Sequence, residues 1–133
     1  MRSLARETVF KYLFAELFNP SDEELFDVLI KGAELNNADK DFAKELMAKV
    51  KDDFDFYLGK IQELSIGFAL DRIKAADKCA IIIGMAELKN FVDTPIPVVI
   101  DEAVKLAFKY STEKSTDYVN GILASFAKEV RNG

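Results

Sequence analysis

Asp77–Leu88 reads DKCAIIIGMAEL, and the reading of this stretch decides the fold. From Cys79 to Ala86 run eight residues with no charge and no strongly polar group. A membrane crossing needs roughly 20 apolar residues, so the run is too short to be one. It is a buried strand or a buried helix, and periodicity alone does not separate the two. The β-branched Ile81–Ile83 favours a strand. The flanks favour a helix: Ala75, Ala76, Lys78, Met85, Ala86, Glu87, Leu88 and Lys89 are mostly good helix formers, and no turn signal interrupts Ala75–Asn90. Nothing else in the chain alternates with period two over a strand length. The stretch therefore predicts a helix apolar most of the way round and sheathed by other helices.

The remaining composition agrees. The chain has 133 residues, half of them hydrophobic, with three Pro and six Gly, which suits one all-α domain over 1–133. The single Cys79 lies in the apolar run, so it reads as a buried, inert thiol in a reducing cytoplasm. Met1–Phe10 is charged and lacks the pattern of a signal peptide. The net charge of −5 argues against coating nucleic acid by charge alone. There is no His, the usual general base and commonest metal ligand, and no HExxH, paired-Cys, Walker or GxGxxG pattern. The reading is a non-enzyme with neither metal nor cofactor.

Around the central stretch the helical patterns fall in order. Ser3 is positioned to cap a first helix to about Phe18, with the stripe Val9, Phe10, Leu13, Phe14 and Leu17. Arg6 extends that stripe, either packing its stem and pairing with a helix carboxylate or presenting its head to a phosphate. Ser21–Glu24 is a capping box for a second helix that fades at Gly32–Asn37. From about Asp39 a third stripe runs Phe42, Leu46, Val50, Phe54, Leu58 and Ile61, as in one helix. Ser65–Gly67 breaks the pattern, and Phe68–Lys74 reads as a short helix. Beyond Pro95–Pro97 a helix covers Val98–Tyr110, and Ser115 caps a last one to about Val130. Asn120–Gly121 sits inside that last helix. A mid-helix Gly costs about 1 kcal/mol relative to Ala, so close approach of another backbone is the expected reason for it.

This last segment also carries a resemblance. Tyr118–Leu123 resembles the F-V-N-G-[VI]-L segment of the NusB family of bacterial transcription antitermination factors. Val99–Ala107 is similar to the family's I-N-E-A-[VI]-x-L-A. Ile82–Leu88, followed by Pro95, is similar to L-R-x-A-x-Y-E-L…P, and Ala5–Glu7 with Leu13–Phe14 to A-R-E…L-[YF]. The blocks keep their order from Ala5 to Leu123. The resemblance implies about seven helices in two small bundles, subdivided near 65–69. It implies an adaptor that pairs with NusE, a small-subunit ribosomal protein, binds boxA in nascent ribosomal RNA and serves the RNA polymerase antitermination complex.

Carried over by position, Arg2, Arg6, Lys114 and Tyr118 would face RNA, the Tyr by stacking on an unpaired base. Phe14, Asp71 and Asp77 would face the protein partner, with the Asp77 carboxylate at the surface. Glu102, Asn120 and Gly121 would be structural. Only Arg2 and Arg6 precede Lys11, where NusB-like N-termini are often rich in Arg, so weak RNA binding by the isolated chain is expected. The competing reading is an oligomeric helical interaction module with weak or lost RNA binding.

Overall fold

The Asp77–Leu88 stretch is a helix. In the computed structural model, which describes residues 2–19, 23–65 and 72–131, it belongs to α5 (Ala75–Asn90), buried almost without interruption from Ala76 to Leu88. The other helices among the described residues are α1 (Arg2–Phe18), α2 (Glu23–Gly32), α3 (Asn37–Asp52), α4 (Phe54–Leu64), α6 (Ile96–Tyr110) and α7 (Glu113–Val130). There is no strand among them. Helix α5 packs against α1, α3 and α4 on one side and α6 and α7 on the other. That double packing is why Ile81–Ile83 is tolerated in a helix: burial on all sides outweighs the modest β-branched propensity penalty.

Three local expectations are corrected. The stripe from Phe42 to Ile61 is two helices rather than one. Asp53 ends α3 and starts α4, and its Oδ2 accepts from Lys89 Nζ of α5 at 2.7 Å. Ser3 does not cap α1; it lies inside the helix, and its hydroxyl donates to Glu102 Oε1. Ser115 does not cap α7 either. Thr112 is the N-cap, accepting from the Ser115 backbone N–H at 3.2 Å. The Ser21–Asp22 half of the capping box, most of the Phe68–Lys74 helix and most of the 65–69 subdivision lie outside the described residues.

Gly121 is the fourth correction. It is exposed, and a Cβ built there would meet nothing within 4 Å. The close approach occurs at Gly84, where a Cβ would stand 2.6 Å from Leu123 Cδ1 and 3.4 Å from Ala103 Cβ. A bare backbone at Gly84 is what lets α5 seat against α6 and α7.

Candidate RNA and partner interface

Where α5 begins and α7 begins, the two helix starts face one another across a cavity of about 730 Å³. Arg72 and Lys74 border it from the segment before α5, and Thr112, Glu113 and Lys114 from the start of α7. Asp77, Ser115 and Tyr118 line it as well. Lys114 is exposed in the first turn of α7. Tyr118 is half-buried, and its hydroxyl hydrogen-bonds that of Ser65. Burial, and then the nearby Asp77 charge, push the Tyr118 hydroxyl above its ordinary pKa; the Ser65 bond works the other way. The ring therefore stays a neutral π surface at physiological pH.

The placement of Asp77 corrects the expectation of a surface carboxylate, because the residue is only 6% exposed. Its Oδ2 accepts from Ser115 Oγ at 2.9 Å, and the same hydroxyl is hydrogen-bonded to Thr112 Oγ1 at 3.0 Å. Its Oδ1 is buried with no hydrogen-bond partner. A carboxylate oxygen at a cavity wall with an unused lone pair is an acceptor waiting for a donor.

The N-terminal residues separate. Arg2 is exposed, with its guanidinium 4.4 Å from the centre of the Phe42 ring. Arg6 is buried instead: Nε donates to Glu87 Oε1 at 2.7 Å and Nη2 to Glu87 Oε2 at 2.6 Å, a bidentate pair. Glu102 stands 3.5 Å from Arg6 Nη1 and closes this network between α1, α5 and α6. Of the two readings of Arg6, the packed and paired one is what the free protein adopts.

Phe14 is on α1, away from the cavity, in a row of rings. Tyr110 stacks on Phe10 at 4.7 Å, Phe10 on Phe14 at 6.0 Å, and Phe14 meets Phe18 at 5.0 Å. The row emerges from the core: Phe10 is 1% exposed, Phe14 36% and Phe18 67%. Asp71 lies outside the described residues. The structure thus brings Lys114, Tyr118 and Asp77 to one cavity and leaves Arg2, Arg6 and Phe14 elsewhere. Sequence reading missed Arg72, Lys74 and Ser115; the positive charges just before α5 were the available signal for the first two.

A family model described as the NusB family matches residues 1–128. The chain belongs to the NusB family. It is 34% identical over 111 residues to the transcription antitermination protein NusB of Finegoldia magna, covering 84% of this chain and 81% of that protein. With the NusB protein of Pediococcus pentosaceus it is 32% identical over 130 residues, covering 96% and 97%. Among solved structures, NusB of T. maritima superposes with a TM-score of 0.90 at 30% identity, covering 97% of this chain and 92% of that one. A complex of the antitermination factors NusB and NusE with double-stranded RNA contains a chain matching with a TM-score of 0.84 at 27% identity, with 96% of both chains covered. The all-α reading and the family resemblance hold over the NusB fold as a whole. Among the described residues of this NusB-family chain, no group of three His, Cys, Asp or Glu side chains could hold a metal ion, and no helix is long and apolar enough to cross a membrane.

Proposed function

We propose that this chain is a non-enzymatic transcription antitermination adaptor of the cytoplasm that pairs with NusE and, with it, binds boxA-type RNA. The observation that carries the reading is the cavity at the α5 and α7 starts. It offers a stacking ring in Tyr118, phosphate-seeking charges in Arg72, Lys74 and Lys114, and an acceptor in Asp77 Oδ1. These are the groups that unpaired RNA and a basic protein require, gathered at one place. An exposed aromatic end on α1, at Phe14 and Phe18, supplies apolar contact area for the protein partner. The net charge of −5 assigns the basic partner much of the phosphate contact.

Titration of fluorescent boxA RNA, with and without purified NusE, tests the reading. The chain alone binds weakly at physiological salt, and NusE strengthens binding markedly. Lys114→Glu, at an exposed position, weakens RNA binding by the pair several-fold without unfolding the chain. Tight binding that ignores NusE, or a Lys114→Glu variant indistinguishable from wild type, contradicts it.

A further inference from the structure

Among the described residues, two side-chain atoms are buried without a hydrogen-bond partner: Asp77 Oδ1 and Glu16 Oε2. Both are carboxylate oxygens, and each residue lines its own cavity. The second cavity, of about 320 Å³, lies between α1, α3 and the start of α4, and plays no part in the RNA site. Its walls are Leu13 and Leu17 of α1, Met47 and Val50 of α3, and Phe54 of α4. The polar groups are Glu16 and Lys51. Lys51 is turned toward Tyr12: its Nζ is 3.5 Å from the Tyr12 hydroxyl and 5.3 Å from the ring centre.

The Glu16 carboxylate already hydrogen-bonds the Tyr12 hydroxyl, so Oε2 is the one oxygen left unserved at the end of the apolar walls, and that combination selects the occupant. A purely apolar group leaves the oxygen without a donor, and an anion is repelled by it. An Arg or Lys side chain satisfies both parts, laying its methylene stem on the walls and donating an N–H from its head. The cavity is also continuous with the exposed end of α1. Leu17 lines the cavity and is itself 37% exposed, one turn from Phe14 and next to Phe18.

We propose that the cavity between α1, α3 and α4 is a socket for one Arg or Lys side chain of the basic protein partner, with Glu16 as its counter-charge. This rests on the partner reading given above, and it adds an anchor beside the aromatic row. An acidic chain facing a basic partner gains orientation as well as affinity from such a buried charge pair, because the socket fixes where one cation must go.

The test is calorimetric titration of purified NusE into the full chain, comparing wild type with Glu16→Gln, Glu16→Lys and Phe14→Ala. Thermal melting followed by circular dichroism establishes that each variant is folded. Glu16→Gln should weaken NusE binding roughly tenfold or more, and Glu16→Lys further, with no loss of melting temperature. If wild type does not bind NusE, the partner reading falls and the socket falls with it. If wild type binds and Phe14→Ala weakens binding, but both Glu16 variants bind as wild type does, the partner reading stands and the socket is overturned. A Glu16→Gln variant that loses RNA affinity while keeping NusE affinity also overturns it.

Discussion

Arg6 and Gly84 show how a single residue's meaning depends on a neighbour far away in sequence. Arg6 sits on an apolar stripe, so its position alone fits either a packed stem or a presented charge. Glu87, on another helix, decides between them by taking two of its N–H groups. No spacing rule encodes that pairing. Gly84 and Gly121 invert the sequence-based expectation for a similar reason. Gly121 interrupts the stronger amphipathic pattern and so drew the close-approach reading, yet its face of α7 is open. Gly84 lies in a helix that is apolar all round, where no face stands out. The difference is measurable. Gly121→Ala gains helix propensity at no steric cost and should stabilise the chain by about 0.5–1 kcal/mol. Gly84→Ala gains the same propensity but drives a methyl against Leu123, whose side chain is fully buried. It should destabilise by about 1–3 kcal/mol. Urea denaturation of the two variants, giving shifts of the same sign, would remove this account of the α5–α7 contact.

At the scale of elements, helices were legible in the sequence and their ends were not. The 3.6-residue stripes located α1, α2, α6 and α7 closely because each buries one face. The α3–α4 break was invisible because the apolar spacing runs through it, and Asp53 carries no Gly or Pro signal. Asp53 at the break pairs with Lys89, again a residue of another helix. The C-terminus of α5 has a partner of the same kind. Arg131, just past α7, donates from Nε to the Leu88 carbonyl at 2.8 Å and from Nη2 to the Phe91 carbonyl at 2.7 Å. Its Nη1 serves the Thr94 carbonyl as well. The Phe91 carbonyl also accepts from the Thr94 N–H at 3.0 Å, so Arg131 ties the end of α5 to the turn that follows it, and the cation opposes the negative end of the helix dipole. Arg131→Ala should therefore cost about 1.5–3 kcal/mol. Amide hydrogen exchange should show the loss concentrated in the last turn of α5 and the 91–95 connector. Protection lost only at the end of α7 would mean that Arg131 serves its own helix alone.

For the whole molecule, the sequence carried the all-α class and the family, whereas the site emerged only on folding. Asp77 and Ser115 are 38 residues apart, and Tyr118 and Ser65 are 53 apart; only the packing of α5 and of the end of α4 against α7 makes neighbours of them. That packing also has a signature in the response to pH. Burial pushes the Cys79 thiol of α5 up to about 12 and the Tyr57 hydroxyl of α4 up to about 12. In the unfolded chain the thiol ionises near 9.0 and the phenol near 10.0. Between those values and about 12 the folded state holds protons that the unfolded state has released. Stability must then fall as pH rises, by up to about 1.4 kcal/mol per pH unit for each group, and below about pH 8 neither contributes an appreciable slope. Cys79→Ala separates this effect from general alkaline repulsion. It lowers stability at pH 7 by leaving a small void, but it removes one of the groups that titrate in this range. Its stability curve between pH 9 and 12 should therefore be shallower than that of wild type, and the two curves should converge as pH rises. Urea unfolding measured at half-unit steps decides the matter: curves that stay parallel to pH 12 would show that the Cys79 thiol is not held protonated by the packing around α5.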